Sequence, residues 1–365
     1  MNAFARFRLF FNRQPRNYWP ALMLLQFLPF SLDAQVADLE RMQQVFQSAS
    51  NDYSSFESKH RRFLSAQHVR LAYLEWGDQQ NTDKVVIWLH GSLSNAYEFL
   101  PFADSLVALG YRVISIDQYF AGKTPRPAFD ASFDDLCTDI RVLMDSLGVQ
   151  TAVIGGFSRG AYLATNFYAK YPHRVKGLIL EDGGSVRFAA PYLKLNPSEL
   201  AERLQQVNTP PDIEAKYHGF HRNRFEAYLN LYDSTETGNQ FEILSYIKPV
   251  GNRWITYRGQ STYYHMQDSL QMAEVLFEPH RVSRYAASIV QIDPQKIFST
   301  LNVPILLLEA ASADDPIPVS AENSALARRH PDRITHLVFD NADHNIHYQC
   351  PRKFLGAISE FLAAF

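Results

Sequence analysis

The chain has 365 residues, 46% of them hydrophobic, enough for one large α/β domain carrying an insertion or for two modest domains. Lys and Arg number 35 against 38 Asp and Glu, a formal net charge of −3 without the basic surplus that marks a phosphate-binding protein, so nucleic acid is not an expected partner. Aromatic residues make up 13%, with 26 Phe and 19 Tyr, rings that fill a core and can also line an apolar substrate cavity.

Arg6, Arg8, Arg13 and Arg16 precede the first acidic residue, Asp33, and an apolar run extends from Tyr18 to Leu32, followed by Asp33, Ala34 and Gln35. A basic start, an apolar stretch and a small residue at a cleavage point describe a secretory signal over residues 1–34. The stretch is short for a membrane span and contains Pro20, Gln26 and Pro29. Export to the periplasm or beyond is therefore expected, with only transient membrane contact; an uncleaved N-terminal anchor is the alternative. The two cysteines, Cys137 and Cys350, lie far downstream, where one disulfide is chemically possible in an exported protein.

Residues 35–60 mix helix formers with Ser and Asn and read as a lead-in with a short helix. Arg62–Ser65 and Val69–Trp76 alternate around a turn, which predicts an antiparallel hairpin. Lys84–Leu89 is a continuous apolar run ending in His90 and Gly91, as suits a strand buried on both faces. A helix follows from about Tyr97 to Leu109, then a strand at Arg112–Ile116, a helix at Phe133–Leu147 and a strand at Ala152–Gly155. Helix Ser158–Tyr171 and strand Val175–Leu180 complete this half. The rhythm resumes with strand Val303–Leu308, helix Ser320–Arg329, strand Ile334–Phe339 and a terminal helix at Pro351–Leu362. Such alternation predicts a mostly parallel central sheet flanked by helices.

Between these halves, over residues 186–298, the strand rhythm disappears. Asn196, Pro197 and Glu199 spell a helix start, with N-cap, N1 and N3 residues in place. Further helical segments are expected near 212–219, 222–232, 239–246 and 262–277. The segment reads as a helical cap inserted between the sixth and seventh strands, over a core of residues 61–185 and 299–365; an independent second domain is the alternative.

Gly156-Phe157-Ser158-Arg159-Gly160 directly follows one apolar strand and directly precedes a helical run, the setting that a nucleophile on a tight strand-to-helix turn requires. Glycines two residues before and after the serine avoid clashes with neighbouring strands. Acyl transfer also needs donors for a developing oxyanion. Gly91 lets the Ser92 N–H approach such a site from the loop after the strand ending at Leu89, and the Arg159 N–H at the helix start supplies a second donor. His90, at a strand end, reads as a brace for that loop. A histidine on the loop after the last strand is placed to act as base: His344 is the candidate, with His347 in reserve. The acid is sought between serine and histidine. Asp315, after strand Val303–Leu308, is preferred, with Asp314 and then Asp182 as alternatives. The order Ser, Asp, His differs from the orders of chymotrypsin and subtilisin.

On HGS at 90–92, GFSRG at 156–160, DD at 314–315 and DHNIHYQCP at 343–351, the chain resembles the α/β-hydrolase superfamily, in its branch of capped serine carboxylesterases. The resemblance covers about residues 60–185 and 300–365 and implies an α/β-hydrolase fold. It also implies an oxyanion loop at Ser92, an elbow at Ser158, Asp315 as acid and His344 as base. No cofactor is expected, and no metal, since no HExxH occurs and the His344/His347 pair lacks a third clustered ligand. Relatives that hydrolyse epoxides or haloalkanes carry aspartate at the elbow, so Ser158 points instead to esters, thioesters or amides, with carbon–carbon cleavage as an alternative. The expected substrate is a small molecule with an apolar part. A catalytically weak, ligand-binding member of the fold is the rival from another class.

Overall fold

The computed structural model describes residues 32–208, 219–256, 263–312 and 318–365. Helix α1 (Leu32–His60) leads into strands β1 (Arg61–Ser65), β2 (Arg70–Trp76) and β3 (Val85–Leu89). Helix α2 (Leu100–Ala108), strand β4 (Arg112–Ile116), helix α3 (Phe133–Ser146), strand β5 (Ala152–Phe157), helix α4 (Arg159–Lys170) and strand β6 (Val175–Glu181) follow. Among its described residues the inserted segment holds three short strands, β7 (Phe220–His221), β8 (Lys248–Val250) and β9 (Arg253–Ile255). Strands β10 (Ile305–Ala310) and β11 (Ile334–Phe339) then return to the main sheet.

That sheet has eight strands in the order β1-β2-β4-β3-β5-β6-β10-β11. Pairing is antiparallel from β1 to β2 and from β2 to β4, and parallel from there to β11. Strands β3 and β5 are buried along their whole length, which is why they read as unbroken apolar runs, and β10 is buried likewise with Glu309 as its one charged residue. The two strands in the middle of the parallel region, β5 and β6, end side by side, with Phe157 opposite Glu181. Loops leaving their carboxyl ends therefore meet above the centre of the sheet.

The main sheet and its crossover helices lie where the sequence puts them, and two elements differ. Helix α1 is one 29-residue helix, beginning inside the expected signal, whose residues 1–31 lie outside the described residues. It is long because its partners are remote in the chain: Phe46 packs on Phe225 and Tyr228, and Phe56 on Phe241. Near its end Glu57 and Arg61 form a buried pair, and Arg61 Nη1 also donates to Asp117 Oδ2 at 2.8 Å. The second difference is in the inserted segment, which carries a three-stranded antiparallel sheet in the order β7-β9-β8. Strands of two and three residues are too short to establish a period of two, and Pro249 obscures the pattern further.

The helix start at Asn196 has both halves of its capping box: Asn196 Oδ1 accepts from Ser198 and Glu199 N–H, and Glu199 Oε2 accepts from Asn196 N–H. Helices also span Arg224–Leu231 and Ser269–Phe277, while the 239–246 stretch forms a 3-10 helix over Phe241–Tyr246. The expected helix near 212–219 falls almost wholly outside the described residues. Side chains of the inserted segment tie onto loops at the sheet's carboxyl edge. Asn95 Nδ2 donates to Ser245, Tyr285 OH to Gln118 Oε1 at 2.9 Å, and Ser288 Oγ accepts from Phe133 N–H. Cys137 and Cys350 are both free thiols.

Candidate active site

Strand β5 delivers Ser158 onto a turn with φ 51° and ψ −118°, a backbone conformation that L residues rarely adopt. The turn is held by Ser158 N–H donating to the Glu181 carbonyl on β6 at 2.9 Å. Its tightness explains the flanking glycines. A Cβ on Gly156 would meet the Gly160 carbonyl, and one on Gly160 would land on the Leu89 carbonyl of β3. Helix α4 starts at the next residue, so its unpaired N-terminal N–H groups and the positive end of its dipole face the serine.

The loop after β11 brings His344 to this turn. His344 Nε2 lies 2.8 Å from Ser158 Oγ, and Nδ1 lies 2.5 Å from Asp182 Oδ2. A carboxylate can only accept, so Nδ1 carries the proton, Nε2 is left as an acceptor, and the serine hydroxyl donates to it. Asp182 is the first residue after β6. It too has positive φ, 43°, and its other oxygen accepts from Ala310 N–H at 3.1 Å, which fixes the carboxylate against β10.

The structure gives His344 a carboxylate partner other than the preferred Asp315. Both ring nitrogens of His344 are engaged, one by Ser158 and one by Asp182, which ranked last among the three candidates. Asp315 and Asp314 lie outside the described residues. The sequence reading favoured the loop after β10, but the left-handed turn at Asp182 aims a carboxylate from the neighbouring strand directly at the imidazole.

His347, held in reserve as base, faces away from the serine. It is fully buried, its Nδ1 lies 2.7 Å from Glu181 Oε1, and burial holds the ring down to about 4, so it stays neutral. Burial pushes the Glu181 carboxyl well above its usual range. The Phe157 ring separates the two histidines, 4.8 Å from His344 and 4.9 Å from His347.

The loop after β3 is anchored from three sides. His90 is buried, donates from Nδ1 to the Gly91 carbonyl and accepts the Gln118 N–H at Nε2, as a brace should; desolvation holds it down to about 4. Glu98 accepts the Gly91 N–H at 3.0 Å and the Trp88 indole N–H at 2.9 Å, and burial pushes its carboxyl up to about 6. Asp117 accepts the Ala96 N–H at 2.7 Å. Neither Glu98 nor Asp117 carried a motif; an acidic residue inside an apolar stretch was the one available signal. Ser92, half-buried, accepts from Arg159 Nε at 3.1 Å, which joins the loop to the residue after the nucleophile. Ser94 meets Tyr246 OH of the inserted segment at 3.3 Å.

A family model described as the alpha/beta hydrolase fold matches residues 84–351. Among curated proteins, the chain is 31% identical over 158 residues to the 2-hydroxy-6-oxononadienedioate/2-hydroxy-6-oxononatrienedioate hydrolase of Escherichia coli, covering 42% of this chain and 54% of that protein. It is 31% identical over 126 residues to the human (lyso)-N-acylphosphatidylethanolamine lipase, covering 33% of this chain and 35% of the lipase. The matched stretch thus spans about half the length of the bacterial relative and about a third of the human one. Among solved structures, a meta-cleavage product hydrolase superposes with a TM-score of 0.56 at 22% identity, over 84% of this chain and 99% of the other.

Proposed function

The chain belongs to the alpha/beta hydrolase fold family, and on that premise we propose that it is a hydrolase that cleaves small-molecule carboxylic esters through an acyl-enzyme on Ser158. The observation that carries the reading is the continuous hydrogen-bonded chain from Ser158 Oγ through His344 to Asp182. His344 takes the serine proton as Oγ attacks the scissile carbonyl, and Asp182 stabilises the imidazolium that forms. The backbone N–H groups of Ser92 and Arg159 donate to the oxyanion, aided by the α4 N-terminus. His344 then protonates the leaving alcohol, and a water activated by the same ring releases the acid and frees the serine.

Segment 186–298 is the element that sets the acyl and alcohol preference, in keeping with its contacts to the loops after β3 and β4. A second reading is hydrolysis of a carbon–carbon bond, favoured by the similarity to the bacterial 2-hydroxy-6-oxo-dioate hydrolase. One experiment tests both. A fluorophosphonate probe should label Ser158 alone, and aryl esters of graded chain length should turn over faster than a 2-hydroxy-6-oxo-dienoate. Labelling at another residue sinks the serine assignment, and the reverse substrate order replaces the ester reading with the second one.

A further inference from the structure

The residue after the nucleophile is unusual in its surroundings. Arg159 is 0% exposed, yet among the described residues it has no carboxylate partner. The two other deeply buried arginines are each paired: Arg61 with Glu57 and Asp117, and Arg112 with Glu75. An isolated guanidinium in a dry interior is costly, and proteins avoid it or supply a counter-charge. Here the neighbours are neutral. The Tyr264 and Phe133 rings lie 5.1 and 5.8 Å from its carbon, and Nη1 points at the Tyr285 carbonyl at 3.4 Å.

The remaining edge matters most. Nε donates to Ser92 Oγ at 3.1 Å and Nη2 to Met266 Sδ at 3.0 Å. Nε and Nη2 form the side edge of the guanidinium, the two parallel N–H groups that grip a carboxylate in bidentate fashion. Both present occupants are weak or neutral acceptors on half-buried residues. Ser92 belongs to the loop beside the nucleophile, and Met266 to the flexible thioether type that moves aside cheaply.

We propose that Arg159 is a recognition residue for a carboxylate carried by the substrate, which displaces Met266 and takes the Nε/Nη2 edge while the scissile carbonyl lies at Ser158. The proposal rests on the serine-hydrolase reading and deepens it, from esters in general to esters of dicarboxylic or similarly acidic molecules. The anionic group brings the counter-charge that the described residues leave out, so binding relieves an electrostatic penalty present in the free protein. Water is excluded around the guanidinium, which strengthens the contact and makes it selective against neutral analogues.

The test compares aryl monoesters of succinate and glutarate with the same esters after methylation of the free carboxylate. Wild type should favour the free acids in kcat/KM by more than about tenfold, and Arg159→Met should bring the acid-to-methyl ratio down to about one. Arg159→Lys, which keeps the charge without the fork, should fall between. Glutarate should raise the melting temperature of the Ser158→Ala protein and lose that effect when Arg159→Met is added. A wild-type preference for the methylated esters, or an equal loss on both in the Met variant, overturns the proposal; if that variant does not fold, wild-type preference, Arg159→Lys and glutarate stabilisation decide. Absence of fluorophosphonate labelling with glutarate stabilisation intact would instead remove the hydrolase reading and leave the carboxylate site standing.

Discussion

Asp182 and His344 are 162 residues apart in the chain, yet Asp182 Oδ2 sits 2.5 Å from His344 Nδ1, with the aspartate side chain 1% exposed. The contact joins the end of β6 to the loop after β11, across the intervening strand β10, and Ala310 N–H on that strand steadies the second carboxylate oxygen. An acid so placed holds the imidazole in one tautomer and one orientation.

Asp182→Asn should therefore lower turnover of an activated ester by about four orders of magnitude, since an amide at this position favours the wrong tautomer. Asp315→Asn and Asp314→Asn should each cost less than about tenfold. Circular dichroism on all three variants separates a folding defect from a catalytic one. A collapse at Asp315 with a mild effect at Asp182 would return the role to the loop after β10.

The elbow glycines give a prediction about stability. The Cβ of Gly160→Ala would land on the Leu89 backbone carbonyl, which cannot swing aside as a side-chain end can. Overpacking of this kind costs about 1–3 kcal/mol or more, so urea denaturation should show a clear drop together with loss of esterase activity. Gly356, exposed in the terminal helix Pro351–Leu362, has nothing near its missing Cβ. Gly356→Ala should stabilise the protein by about 0.5–1 kcal/mol through helix propensity alone.

His90 provides a pH-dependent test. Its folded pKa, held down to about 4 by burial, lies below the ordinary histidine value of 6.5. The stability linked to its neutral form is fully present above pH 6.5. It is lost as pH falls towards 4, because the unfolded chain takes up the proton first. The unfolding free energy of wild type relative to His90→Gln should shrink by about 2–3 kcal/mol between pH 7 and pH 4. Taking the difference between two proteins cancels the opposite contributions of Glu98 and Glu181, whose buried carboxyls are raised. A difference that stays constant with pH would mean that His90 titrates alike in the folded and the unfolded chain.

The N-terminal segment is open to direct measurement. If residues 1–34 are an export signal, intact-mass analysis of protein produced in a bacterial host should show a chain lacking about that length. A full-length product recovered with membranes supports the anchor alternative, and a full-length cytoplasmic product counts against both.

Much of the site was legible in the sequence because its causes are local. Ser158 is marked by an apolar strand before it, a helix after it and glycines at the two positions where backbones approach too closely for a side chain. His344 is marked by its place after the last strand, and the fully buried strands β3 and β5 announce a parallel sheet through unbroken apolar runs. What the sequence could not decide were contacts set by geometry between distant segments. The loops after β6 and β10 leave adjacent strands, and each offers an aspartate. The left-handed backbone at Asp182, followed by Gly183 and by Gly184 at φ 72°, turns one of them onto His344. No local pattern announces such a turn in an aspartate. That Arg159 meets no carboxylate among the described residues is likewise invisible in a list of residues, since 38 acidic side chains are present and only packing determines which of them it meets.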